Sequence, residues 1–434
     1  MINKITGYIS ALVLCFIVCN GIATAKEIVI TTPGRQTIPI AHVPLIATSS
    51  TDSALAQTFH DVLQADLDLS GLFEFVDEAA FLDDAKNEDL NSTDINYAQW
   101  RMLGGQVLLK GTYKLRRNQL EVKIRLFDVM ARRLLIGHNY QGQPHEIRRM
   151  AHSFADEIMK VLTGKRGSFN TRIAFIGDRT GNKELYLCES DGYDSKRVTN
   201  HANLILNPDF SPLGHELIFT SYHQGNPDLY RKEIYTGREA RISNQKGLNI
   251  AGRYRRDGKE VALTLSRDGN AELYLIGLDG RVHKRLTNAW GIDVDPSWNP
   301  IGDQLAFVSD RQGNPHIFIA DVLTGQAHRL TYSGRYNATP AWSPDGERIV
   351  FSRLEGGVFN LYSIDPDGND ERQLTFGAGN KEHPRWSPDS RFIAFSNDIS
   401  GKKAIYVMRA DGSGQRQIST TQGNCSHPAW SKSW

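Results

Sequence analysis

A period of 44 residues runs through the C-terminal two thirds of the chain, and it restricts the fold more than any other feature. Phe175, Phe219, Leu263, Phe307, Phe351 and Phe395 form one column. Tyr186, Tyr230, Tyr274, Phe318, Tyr362 and Tyr406 form a second, each preceded by Leu or Ile. Val198, Ile242, Leu286, Leu330, Leu374 and Ile418 form a third, each followed by Thr or Ser. Pro208, Pro296, Pro340, Pro384 and Pro428 make a fourth, with Gly252 in the gap. Trp298, Trp342, Trp386 and Trp430 stand two residues beyond the last four prolines, where Phe210 and Tyr254 stand earlier. Columns that agree in one register mark a repeated supersecondary unit.

Each unit reads as four short strands. In residues 383–419, a first strand HPRWS ends at a Pro-Asp-Ser turn, and RFIAFS then alternates polar and apolar residues as a half-buried strand does. AIYVMRA follows, and Asp411-Gly412 turns the chain into RQIST. Asp-Gly or Thr-Gly recurs there in every unit, with glycine supplying the positive φ of a tight hairpin. Four strands per 44 residues, six times over, predict a six-bladed β-propeller over residues 165–434. The first unit lacks its inner strand, because Arg166 stands where its tryptophan should be. The chain ends in an orphan one, His427-Pro-Ala-Trp-Ser431, so the C-terminal strand is expected to complete blade one and close the ring. Closure covers edges that an open array would expose.

Residues 1–25 read as an export signal rather than as part of the fold. Lys4 precedes an apolar stretch from Ile9 to Val18, and Ala23-Thr24-Ala25 is a small-x-small cleavage site. Leu14 and Val18 precede the two cysteines of this stretch, where a lipobox needs a small residue. Cys188 and Cys425 remain in the exported chain. They are expected on strands too far apart laterally for a disulfide, and so to be free thiols. Charge is balanced, with 50 Lys+Arg against 49 Asp+Glu, which argues against a nucleic-acid binder.

Residues 26–164 read as a small α+β domain. Lys26–Ile30 and Thr37–Pro44 look extended. Leu55, Phe59, Val62, Leu63 and Leu67 predict a helix behind the N-cap candidates Asp52 and Ser53. A strand at 72–76, a short helix at 97–103 and strands at 107–115, 120–129 and 133–140 are expected next. A helix from Ile147 to Leu162 should stop at Gly164. A Lys-Arg-Gly-Ser linker, residues 165–168, leads to the propeller.

Motifs for chemistry are missing. The chain has no Gly-x-Ser-x-Gly elbow, no His-Glu-x-x-His, no phosphate-binding loop and no paired Cys-x-x-Cys. Asp365-Pro-Asp-Gly-Asn-Asp370 resembles part of a calcium loop but lacks the distal Glu, and reads as a hairpin turn. One constellation remains. Asn207, Ala251, Asp295, Thr339, His383 and His427 precede the inner strands and are expected to ring one mouth of the central channel. Such a ring fits a polar docking rim. The alternatives are plain solvated loop residues and a divalent metal in the channel, as in a lactonase-like propeller hydrolase, although hard metals want more carboxylates. Blade three departs from the repeat, with Gly252-Arg-Tyr-Arg-Arg-Asp257 placing Arg253, Arg255 and Arg256 around one turn, which reads first as a solvated turn in a degenerate repeat and otherwise as a contact surface for an acidic partner.

The units Pro340-Ala-Trp-Ser-Pro-Asp-Gly346 and Pro384-Arg-Trp-Ser-Pro-Asp389 resemble the WSPDG-type repeat and differ from WD40, since no Trp-Asp pair closes a strand. With the signal peptide, the α+β domain, six such blades and the terminal Pro-Ala-Trp-Ser, the whole chain resembles the TolB family of the Tol–Pal system. Thr37–Pro44 is similar to that family's pattern after the mature N-terminus. The resemblance implies a non-enzymatic adaptor, without cofactor, in the periplasm of a Gram-negative bacterium. It would reach membranes only through partners and support outer-membrane integrity and constriction during cell division. It implies that the propeller mouth binds the lipoprotein Pal, and that the mature N-terminal segment engages TolA. It also implies that colicins exploit the protein in some bacteria. On this chain the TolA segment would be Lys26, Glu27, Ile28, Val29 and Ile30, and the Pal footprint would include Asn207, Asp295, Thr339, His383 and His427.

Overall fold

A computed structural model of the chain describes residues 37–48, 53–82, 87–419 and 423–432. The export signal read at 1–25, the segment Lys26–Ile30 and the N-cap candidate Asp52 lie outside these residues.

The N-terminal domain is a mixed sheet covered by helices. Its strands are β1 (Ile38–His42), β2 (Ile46–Ala47), β3 (Phe73–Phe75), β4 (Val107–Arg116), β5 (Gln119–Asp128) and β6 (Arg133–Gly142). They lie in the order β3-β1-β4-β5-β6, with β2 also on β4. The strand β1 runs parallel to both neighbours, with Ile38 beside Phe73 and Ile40 beside Val107. Helices α1 (Ser53–Ser70) and, much later in the chain, α3 (Ile147–Thr163) are expected from their apolar spacing, and both bury it on one sheet face. Phe59, Leu63, Phe154 and Ile158 are completely buried there against Ile40 and Ile124. Between them in sequence, α2 (Tyr97–Met102) covers the opposite face with Tyr97 and Trp100. Gly164 ends α3 in the left-handed conformation that its sequence position predicts, φ 76°, and its N–H reaches Lys160 O at 2.9 Å.

The described residues beyond it form a six-bladed propeller of four-stranded antiparallel sheets. The inner strands of blades two to six are Ile205–Phe210, Asn249–Tyr254, Asp293–Trp298, Asn337–Trp342 and Lys381–Trp386. Blade one takes its inner strand from the other end of the chain. Cys425–Trp430 pairs with Arg172–Gly177, Cys425 opposite Gly177 and Trp430 opposite Ile173. Trp430 Nε1 donates to Thr171 Oγ1 at 2.7 Å, and Arg172 N donates to Ser431 Oγ at 2.8 Å. The expected ring closure is therefore present.

The repeat columns have separate physical jobs. Phe175 faces Tyr186 across the second and third strands, as Phe219 faces Tyr230 and Phe351 faces Tyr362, and these rings fill the space between blades. The Thr/Ser column continues the ladder just past the end of the fourth strand. Thr199, Thr287, Thr331, Thr375 and Ser419 accept the N–H of Leu185, Leu273, Ile317, Leu361 and Ile405 at 2.8–3.0 Å. The Asp-Gly turn needs glycine for more than its φ. A Cβ at Gly192 would sit 1.8 Å from Ile418 O of the neighbouring blade.

Residues 165–168 are packed between the domains rather than strung as a linker. Asp156 of α3, fully buried, accepts Phe169 N at 2.7 Å and Asn170 N at 3.2 Å. Phe169 packs on Phe392 of blade six, ring centroids 5.6 Å apart. Arg409 of blade six donates to Leu69 O and Asp68 O at the end of α1, at 2.8 and 2.9 Å. Arg148 of α3 pairs with Glu189 at 3.2 Å and with Asp191 in blade one. The α+β domain thus sits on the face where the first-to-second and third-to-fourth strand turns of blades six and one emerge, here called the lower face. Cys188 and Cys425 are buried and not joined in a disulfide, and burial pushes the Cys188 thiol up. No helix of the described residues is long and apolar enough to cross a membrane.

Candidate functional site

Six inner strands line the channel, and each carries a break at the same point. The ladder to the second strand shifts between Leu206 and Asp209, and at the equivalent place in every other blade. The residue that takes up the shift is Asn207, Ala251, Asp295, Thr339, His383 or His427, each with φ between 49° and 56°. A bulge accommodates its extra residue by entering the left-handed region. A β-branched residue such as Thr339 enters that region at a steric cost. Sixfold repetition makes the ring a strained girdle, and strain of this kind concentrates at ligand-facing sites.

This corrects one sequence expectation. The six residues do not precede the inner strands at the rim; they lie within them, part-way down the channel. His383 and His427 converge there, with ring centroids 3.7 Å apart. Their Nδ1 atoms lie 3.3 Å from Ser396 Oγ and 3.0 Å from Ser426 Oγ. Burial pushes His383 down to about 4, with Lys403, Arg253 and Lys183 adding to the effect against Glu382. Burial and the neighbouring His383 hold His427 well below the ordinary imidazole range. Burial raises Asp295, against the pull of Arg253. The three ionisable members of the girdle are thus all biased toward their neutral forms.

Blade three gives a second correction. Arg253 is not on the turn with Arg255 and Arg256 but in the inner strand, 6% exposed, donating to Gly252 O at 2.9 Å. Below the girdle it shares a cavity of about 180 Å³ with Asp209, Arg385 and the channel tryptophans. Burial pushes Asp209 up to about 6 in spite of Arg253.

Above the girdle is a feature that the repeat columns concealed. The loops 287–292, 331–336 and 375–380 join the outer strand of one blade to the inner strand of the next. They hold Trp290, Ile292, Tyr332, Tyr336 and Phe376 in solvent, 40–79% exposed. Arg329 stacks on Tyr332 at 4.9 Å, and Tyr336 meets Phe359 edge-on at 5.8 Å. The five form a crescent along one half of the upper mouth. Tyr332 and Phe376 are 44 residues apart, so an exposed aromatic column was the available signal.

The channel histidines are not joined by a third ligating side chain among the described residues. The group of three that those residues do contain, His152, Glu189 and Asp191, lies at the domain joint. There His152 Nδ1 meets Asp66 at 2.7 Å, and Arg148 balances both carboxylates. Asp365–Asp370 is a turn, with Gly368 N donating to Asp365 O at 2.9 Å and Arg348 pairing with Asp370 at 2.8 Å.

Comparison with known proteins follows the two-domain division. The family model for the TolB beta propeller domain matches residues 159–434, and that for the TolB amino-terminal domain matches residues 26–135. The Tol-Pal system protein TolB of Syntrophotalea carbinolica is 57% identical over 208 residues, 48% of each chain. That of Geobacter sulfurreducens is 43% identical over 166 residues, 38% of each. The chain thus spans half or less of the length of these curated relatives in the matched stretches. The crystal structure of TolB from Acinetobacter baumannii superposes with a TM-score of 0.80 at 27% identity, covering 92% of this chain and 97% of that one.

Proposed function

The chain belongs to the TolB family, a component of the Tol–Pal system, and from that membership we propose that it is a non-enzymatic periplasmic adaptor joining Pal and TolA. In this proposal residues 1–25 export the chain, residues 26–164 form the α+β unit, and residues 165–434 form the propeller. Pal docks on the upper mouth and supports outer-membrane integrity and constriction at division through that contact. Asn207, Asp295, Thr339, His383 and His427 line the channel that such a partner would enter. The observation that carries the proposal is the exposed crescent of Trp290, Ile292, Tyr332, Tyr336 and Phe376 directly above that girdle. Aromatic side chains supply large contact area at low entropic cost and dominate the energetics of docking.

TolA is assigned to Lys26–Ile30. Ile28, Val29 and Ile30 are β-branched and can add as a strand to a partner sheet. Colicins would compete for one of these two contacts. Deleting residues 26–30 tests the assignment: TolA capture from an envelope extract should vanish while Pal capture persists. Equal TolA recovery by both forms would remove the N-terminal segment from the account.

A further inference from the structure

The lower face is only partly covered. The α+β domain sits on blades six and one, and residues 165–168 line a cavity with Pro344 and Asp345 of blade five. The same face of blades two, three and four is open. The repeat places Asp in the first-to-second strand turn, as at Asp257, Asp345 and Asp389, but blades two and four carry Leu213 and Ile301. It places Asp in the third-to-fourth strand turn, as at Asp191, Asp279, Asp367 and Asp411, but the same two blades carry Tyr235 and Leu323. All four replacements are 63–85% exposed. Two blades have therefore exchanged both surface carboxylates for large apolar side chains.

Between these blades two cations lack an ion pair, although Asp257 stands beside Arg256 in the same turn. Arg256 donates to Pro300 O at 2.9 Å but forms no ion pair among the described residues, nor does Lys432. Burial and Arg256 together lower Lys432, so two cations share one neighbourhood. The turns abut: a Cβ on Gly258 of blade three would touch Pro212 of blade two at 3.4 Å, and one on Gly302 of blade four would touch Arg255 at 3.3 Å. Leu213, Arg256 and Ile301 therefore form a continuous row. The row rims the lower end of the channel, where Arg385 has a buried Nε without a hydrogen-bond partner.

We propose that the open lower face of blades two to four is a second docking surface, for an acidic polypeptide segment whose apolar side chains seat on Leu213 and Ile301 while its carboxylates meet Arg256 and Lys432. Apolar contacts flanking two cations that form no ion pair ask for an amphipathic anion, and like charges across this contact would be repelled. The surface lies opposite the aromatic crescent, so both can be occupied together.

The test uses the full chain and two fluorescent peptides with the same leucines, one Glu-rich and one Lys-rich. The Glu-rich peptide should bind saturably and the other not. Leu213→Asp with Ile301→Asp installs the repeat's own residue, so the melting temperature should hold while affinity falls about tenfold or more. Arg256→Glu should shift preference to the Lys-rich peptide, and Trp290→Ala on the upper mouth should change nothing. The absence of saturable binding, equal binding of both peptides, or indifference to these lower-face substitutions overturns the proposal. So does self-association that the double substitution abolishes, since the occupant would then be a second copy of the chain.

Discussion

His383 and His427 face each other at 3.7 Å across the seam between blades six and one, where the end of the chain closes the ring. The pair stays neutral because burial outweighs the one nearby carboxylate, Glu382, and because a charge on either ring would oppose a charge on the other. Below the ordinary value of 6.5, the unfolded chain binds a proton that folded His383 refuses until about 4. Its contribution to stability is thus full above 6.5 and is lost as pH falls toward 4. Melting curves from neutral to acid pH should fall more steeply for the native chain than for His383→Gln. Parallel curves would show that the pair carries no such penalty.

Asp156 holds the start of the propeller to α3 through two backbone N–H groups. Asp156→Ala strands both donors in a buried joint and should cost about 2–4 kcal/mol. Asp156→Asn keeps one acceptor and should cost less. Chemical denaturation measures both. An alanine variant as stable as the native chain would mean that residues 165–170 behave as a free tether.

The inner strand of blade one is held by a few residues from the far terminus. Removing residues 425–434 strips the ladder from Arg172–Gly177 and exposes the packing of Trp430 on Phe392. Trp430→Ala alone should cost about 3 kcal/mol, as truncation of a packed tryptophan does. Thermal unfolding of both variants is the check, and an unchanged midpoint for the truncated chain contradicts the closure.

These tests fall on features of unequal legibility in sequence. The blades, their number and their closure follow from the 44-residue columns, because each column is a contact repeated between neighbouring blades. The channel girdle was legible as a set of residues but misplaced along the strand. A bulge adds one residue without altering the repeat length, so spacing cannot separate a residue before a strand from one within it. Arg253 was counted with Arg255 and Arg256 for the same reason, although the bulge sends it into the channel. The crescent was missed because the column that runs Leu204, Leu248, Ile292 and Tyr336 was not among those read, and because Trp290 has Lys246 and Gly334 at its equivalent positions. The domain joint was read as a linker from its Lys-Arg-Gly-Ser composition, whereas Asp156 supplies the acceptors that dock it.

The central claim is that the upper mouth docks Pal through its aromatic crescent. Titrating Pal against the native chain and against Trp290→Ala with Phe376→Ala, at matched melting temperature, tests it most directly. The account predicts that affinity falls by about tenfold or more, as loss of exposed aromatic anchors does, while binding through residues 26–30 is unaltered. Equal Pal affinity for the two proteins would contradict it and place the contact elsewhere.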